Sequence, residues 1–131
     1  MTNNYTGTAK EIKIDTTEKR AHAEKTMNAA REKLAEKMLN LTILQEHINE
    51  NAQKGFGYYL VKMENTPINL NETDFANKAV KSLAKAGYKI HWQTRMLMPD
   101  DKNNPKGSDL IIKELLIIWD ILEYQRIQSK S

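Results

Sequence analysis

The first half of the chain repeats apolar positions with helical spacing. Four apolar side chains recur every seven residues, and others at neighbouring positions complete one helical face. Because a helix over residues 16–54 would be roughly 55 Å long, about twice the width of so small a domain, much of this face needs a further partner. We therefore expect an amphipathic helix that pairs with a second copy of the chain, as in a coiled coil. The expected interface residues are Met27, Leu34, Met38, Leu41, Leu44 and Ile48.

Capping signals set the expected bounds of this helix. Asp15 can accept hydrogen bonds from free backbone N–H groups at the helix start, and Glu18 follows it with the spacing of a capping box. Lys54 and Gly55 match a helix C-cap. Residues 1–15 show no sustained apolar period and are expected to form a flexible arm. A break near Asn40, which would divide the helix into two, is the alternative.

The second half, residues 55–131, has the pattern of a small α+β unit. Residues 56–63 are rich in aromatic and β-branched side chains, which predicts a strand. Thr73 opens a short helix that ends at Gly87. Residues 88–98 then alternate apolar and polar side chains, which predicts a second strand.

The last apolar segment is compatible with two structures. Residues 115–119 are apolar on every side, as in a central strand that is buried on both faces, whereas Ser108 is placed to cap a helix. We favour a strand over residues 112–119, followed by a helical tail from Ile121. The expected fold class is therefore α+β: a long N-terminal helix, then a small antiparallel sheet in β-α-β-β order with one short packed helix.

Composition excludes several functional classes. The 131 residues include no cysteine, which removes disulfides, thiolate metal sites and thiol nucleophiles. A net charge of +3 is too small by itself to indicate nucleic-acid binding. Residues 1–14 lack the apolar core of a signal peptide, and the longest apolar run is five residues. We expect a cytoplasmic protein without a membrane partner.

The histidines and acidic side chains form no catalytic or metal-binding motif. His22, His47 and His91 show no paired metal-ligand spacing. Glu46 and Glu50 flank His47, so a hydrolase that uses these three side chains is a minor alternative. We expect no enzymatic activity, no cofactor and no bound metal.

A row of basic side chains is the main candidate binding site. Four lysines at positions 78, 81, 85 and 89 line one side of the short helix and its exit, and basic side chains of the next strand extend the row. Such a surface suits the phosphates of a nucleotide or nucleic acid. The alternative is a solvated face that complements the helix dipole. The residues assigned to phosphate binding are Lys85, Lys89, His91 and Arg95.

Three segments carry a resemblance to a known group of proteins. They are residues 48–55 (Ile-Asn-Glu-Asn-Ala-Gln-Lys-Gly), residues 86–90 (Ala-Gly-Tyr-Lys-Ile) and residues 117–119 (Ile-Ile-Trp). Their order over roughly residues 40–120 resembles small uncharacterised proteins of bacteriophages and prophages of low-GC bacteria. The resemblance implies topology and no activity.

We therefore expect a non-enzymatic oligomeric interaction protein of phage or mobile-element type. It would be either a virion or assembly component or an inhibitor that sequesters a host factor. Its partners would be a second copy of itself and a host or phage protein, in the host cytoplasm or in the virion. Binding of nucleotide or nucleic acid through the basic surface is the alternative function.

Overall fold

The computed structural model of the chain describes residues 5–63, 68–97 and 110–130. Within these residues the fold is α+β, with a long N-terminal helix and an antiparallel sheet in β-α-β-β order, as the sequence predicts. The elements are α1 (Tyr5–Met38), α2 (Leu41–Gln53), β1 (Tyr58–Val61), α3 (Asp74–Lys85), β2 (Lys89–Leu97), β3 (Leu110–Ile118) and α4 (Ile121–Lys130).

The predicted helix over residues 16–54 is two helices, divided at Asn40. The Asn40 side-chain oxygen accepts hydrogen bonds from the backbone N–H groups of Thr42, at 2.9 Å, and Ile43, at 3.2 Å. Asparagine favours helix starts because its short side chain competes for the backbone donors that a continuous helix would use. A single helix through this point is therefore wrong, and the alternative of a break near Asn40 is correct.

The start of α1 also differs from the prediction. The helix begins at Tyr5, so the expected flexible arm over residues 1–15 is helical from residue 5 onwards. Asp15, the predicted cap, lies inside α1 and not at its start. Extending an existing helix adds one hydrogen bond for each residue fixed, so a segment without proline joins it at little cost.

β3 is the central strand of the sheet, whose order is β1-β3-β2 with both pairings antiparallel. Ile117 lies opposite Tyr59 on one side and Ile90 on the other. The strand that we predicted over residues 112–119 is confirmed with bounds Leu110–Ile118, and the helical tail from Ile121 is confirmed as α4. Ser108, the cap of the alternative helix, lies outside the described residues.

One face of the sheet holds the main core. α2 packs against β1 and α3 packs against β2. Thr73 begins α3 by accepting a hydrogen bond from the Ala76 N–H at 3.1 Å, and Gly87 ends it with φ +103°, a conformation that favours glycine. The buried apolar side chains of the core cluster are Ala35, Leu39, Leu44, Ile48, Val61, Met63, Leu70, Ala76, Ala79, Leu83, Ile112, Leu115 and Ile117, of which Ile112 alternates with Leu115 and Ile117 along β3.

The opposite face of the sheet carries α4. Leu116 and Ile118 are buried on this face because side chains alternate along β3. α4 contacts β3, and the Lys89 ammonium lies 6.0 Å from the centre of the Tyr124 ring. Coverage on both faces explains why nearly every side chain of the second half of β3 is apolar.

Candidate functional site

The surface of α1 is the most extended feature of the molecule. All side chains of residues 17–30 are exposed, and burial begins only where the last two turns of α1 reach the core. At 1.5 Å per residue, the exposed segment spans about 20 Å. α1 therefore offers a partner a helical surface that the rest of its own chain leaves uncovered.

The six residues predicted for the oligomer interface fall into two groups. Leu44 and Ile48 are buried in the core of their own chain, and Leu34 and Met38 pack against that core. Met27 is 40% exposed and Leu41 is 41% exposed. Because the helix breaks at Asn40, α2 can pack against β1, and one chain therefore buries much of the predicted apolar face by itself. Oligomerisation stays a prediction; of the six residues, Met27 and Leu41 are exposed, and Leu34 and Met38 are partly buried.

Glu32 connects α1 to the start of α3. Its carboxylate accepts hydrogen bonds from the backbone N–H groups of Asp74, at 2.7 Å, and Phe75, at 3.1 Å. The next N–H of the helix, that of Ala76, is bonded to Thr73. A carboxylate is favourable there because a helix N-terminus carries partial positive charge. The N-terminus of α3 is thus already occupied by an anionic group of the same chain.

We expect Glu32→Ala to lower the free energy of unfolding by about 1 to 2 kcal/mol, because two N–H groups lose a charged acceptor and α1 loses its link to α3. Glu36→Ala is the matched control, since Glu36 lies one turn later on the same helix and is exposed. Urea denaturation followed by circular dichroism measures both. Equal costs for the two variants would show that Glu32 does not hold α1 to α3.

The predicted phosphate-binding residues are distributed over both sides of the sheet. Lys85 belongs to α3, which packs on the sheet face that holds Ile90 and Trp92. Lys89, His91 and Arg95 alternate with those side chains along β2 and therefore point to the opposite face. The alternation along β2 that places Lys89, His91 and Arg95 on one face thus separates them from Lys85 on α3, and phosphate binding by these four residues stays a prediction.

Arg95 is paired within the protein. Its Nε lies 3.0 Å from Glu114 Oε1, and its Nη2 lies 3.2 Å from Glu114 Oε2. Glu114 Oε2 also accepts the backbone N–H of Met63 at 2.8 Å, and the carboxylate side chain is 1% exposed. Such a two-point pairing positions both side chains strongly. Arg95 therefore holds the sheet together and is not available to a phosphate.

The pKa of Glu114 is lowered from its ordinary value. Burial alone raises the pKa of a carboxyl, but here the hydrogen bonds from Arg95 and from the Met63 N–H outweigh it, helped by the positive charges of Arg95 and Lys62. The carboxylate consequently stays ionised at neutral pH in spite of its burial.

His47, Glu50 and Tyr59 form a small titratable cluster at the surface. His47 Nδ1 lies 3.1 Å from Glu50 Oε1, and the His47 ring stacks on Tyr59 with 5.2 Å between ring centres. Burial, and then the charge of Glu50, raise the pKa of the Tyr59 hydroxyl, which keeps it protonated and weakens it as a nucleophile. Glu46 is exposed and makes none of these contacts. The structure thus pairs His47 with Glu50, and the expectation of no enzymatic activity stays a prediction.

Sequence reasoning missed the buried role of Glu114 and two other polar contacts. Asn69 makes side-chain hydrogen bonds to the Ile111 carbonyl, at 3.2 Å, and from the Lys113 N–H, at 2.7 Å, and so satisfies the edge of β3 where β1 does not reach. A lone acid inside an apolar strand was the available signal for Glu114. The contacts of Asn69 and Glu32 span more than forty residues of chain, and no local pattern announces them.

Searches for a metal site, for a membrane-spanning helix and for related proteins assign no function to the described residues. Among the described residues, no group of three or more His, Asp or Glu side chains is placed to hold a metal ion. None of the helices in the same residues is both long enough and apolar enough to cross a membrane. Comparison with known proteins gives no match, whether to a family model, to a curated protein or to a solved structure.

Proposed function

We propose that this is a non-enzymatic interaction protein that acts as an oligomer, with α1 as its contact element. The observation that carries the proposal is that every residue from 17 to 30 is exposed in a continuous helix. Helices without tertiary packing are marginally stable in water, and a helix that is polar on nearly all sides needs either side-chain pairs or a partner. Arg20 and Glu24 form one such pair, with 3.6 Å between the charged groups.

A second copy of α1 fits the exposed segment. Ala23, Met27 and Ala30 recur at spacings of four and three residues, so they lie on one helical face and are exposed. Alanine permits close approach of two helices, and Met27 supplies apolar area between them. In a parallel pair, Lys19 of one copy would lie beside Glu24 of the other, since these residues flank the stripe at coiled-coil positions g and e. Opposite charges would therefore meet on both sides of the dimer.

The biological setting of the proposal rests on the resemblance of residues 40–120 to small phage and prophage proteins. In that setting the oligomer is a virion or assembly component, or an inhibitor that sequesters a host factor. A host or phage protein would then be the second partner, in the host cytoplasm or in the virion. The small α+β unit, residues 55–131, would bind this partner.

We expect the wild-type chain to have at least twice its monomer mass of 15.1 kDa in native buffer, and Ala23→Asp to return it to 15.1 kDa. An aspartate on the stripe would place two like charges in the interface, where they cost stability because they lose water. Ala21→Asp is the matched control, because Ala21 is equally exposed but points about 200° away around the helix.

Sedimentation velocity at several concentrations measures all three masses. A wild-type chain that stays at 15.1 kDa at high concentration would refute the oligomer. An oligomer that is insensitive to both aspartates would instead show that copies associate through another surface. Circular dichroism of each variant establishes that the helix content is retained.

A further inference from the structure

α3 presents one exposed face that is polar and basic. The face is formed by Asn77, Lys78, Lys81, Ser82 and Lys85, all of which are exposed. Their spacing places them on one side of the helix, opposite the buried Ala76, Ala79 and Leu83. Within the described residues, none of the three lysines makes a hydrogen bond or an ion pair.

Among the described residues, the acidic groups of α3 and of the residues that bond to it lie at its first turn. Glu32 bonds to the N–H groups of Asp74 and Phe75, and Glu72 and Asp74 are exposed beside them. The lysines begin at the second turn and continue to the last residue of the helix. The outer face of α3 therefore carries only positive charge along most of its length, and a polyanion is its complementary partner.

The dimensions of α3 select the kind of polyanion. An α-helix with its side chains is about 10 to 12 Å across, and the major groove of B-form DNA is about 12 Å wide. The major groove of A-form RNA is too deep and narrow for side chains to read. An asparagine side chain can form two hydrogen bonds with the edge of adenine in the major groove, and a lysine can bind a phosphate or the edge of guanine. Asn77 and the three lysines thus supply both kinds of contact.

We infer that α3 binds duplex DNA through this face, with Asn77 at base edges in the major groove and Lys78, Lys81 and Lys85 on phosphates. The site differs from the surface considered from sequence, because Lys89, His91 and Arg95 point to the other side of the sheet. The inference does not depend on oligomerisation through α1.

The test compares two triple variants that each remove three positive charges. One is Lys78→Gln, Lys81→Gln and Lys85→Gln on α3, and the other is Lys33→Gln, Lys37→Gln and Lys54→Gln at exposed positions outside α3. Both reduce the net charge of +3 to zero. Binding is measured by fluorescence anisotropy with a labelled 20-base-pair duplex of mixed sequence between 50 and 200 mM salt.

We expect the wild-type protein to bind the duplex and the α3 variant to bind at least about tenfold more weakly at 50 mM salt. Its slope of log affinity against log salt should be shallower by about 2.7, which corresponds to three lost phosphate contacts at 0.9 each. The control variant should stay within about threefold of the wild type. Thermal unfolding of both variants verifies that the changes leave the fold intact.

Three results would overturn the inference. The first is no binding of duplex DNA by the wild-type protein at 50 mM salt. The second is an equal loss of affinity in both triple variants, which would show a general effect of net charge. The third is equal affinity for the duplex, for one of its single strands and for an RNA duplex of the same sequence, which would exclude entry into the major groove.

Discussion

Ile117→Ala will lower the free energy of unfolding by about 3 to 4 kcal/mol, because it truncates a fully buried side chain of the central strand. Ile117 is fully buried in the central strand and lies between Tyr59 and Ile90 in the sheet. Truncation there removes apolar contacts and leaves a cavity that two neighbouring strands prevent from closing. Since small domains are stable by only about 5 to 15 kcal/mol, much of the stability depends on this side chain.

Ile111→Ala is the matched control in the same strand. Ile111 is 56% exposed, so the same truncation should cost less than about 1 kcal/mol. Urea denaturation followed by tryptophan fluorescence gives both values. Comparable costs at the two positions would mean that the second half of β3 is not the buried centre of the sheet.

Glu114→Ala is expected to cost about 3 kcal/mol at neutral pH, an effect close to that of losing a core isoleucine. The change leaves the Arg95 guanidinium and the Met63 N–H without their shared acceptor, and both lie at least partly out of water. Removal of one partner from a buried charged pair costs more than the pair itself contributes, because the remaining charge is uncompensated. Glu50→Ala is the control, since the side chain of Glu50 is 64% exposed beside His47 and should contribute less than about 1 kcal/mol.

The contribution of Glu114 should also depend on pH. A carboxyl whose pKa is lowered by folding stabilises the folded state above its unfolded pKa, and this contribution disappears as the pH falls through the folded pKa. The difference in unfolding free energy between wild type and Glu114→Ala should therefore narrow steadily as the solution is made acidic. A difference that stays constant from neutral to strongly acidic pH would contradict the ionised state of Glu114.

Elements with strong local signals were predictable from the sequence by itself. α3 was bounded correctly by the Thr73 cap and by Gly87, because both act through their own backbone neighbours. β2 was evident from the alternation of apolar and polar side chains, whereas for β3 the apolar side chains on both faces favoured a strand but left a helix capped by Ser108 as the alternative. The pattern of apolar and polar residues indicates which side chains are buried in the fold. It can be read from the local sequence because each residue's polarity decides whether it is buried.

The identity of the group that covers each apolar side chain was decided only by the tertiary structure. The apolar helical face of the first half correctly indicated that Leu44 and Ile48 are buried. They are buried in the core of their own chain, however, and not against a helix of a second copy. The basic residues on β2 were likewise interpreted as a binding surface, and the sequence did not predict that Arg95 pairs with Glu114, nineteen residues away. The periodicity of apolar residues indicates which side chains must be covered. Which segment covers them depends on how distant parts of the chain pack, and a local stretch of sequence does not contain that information.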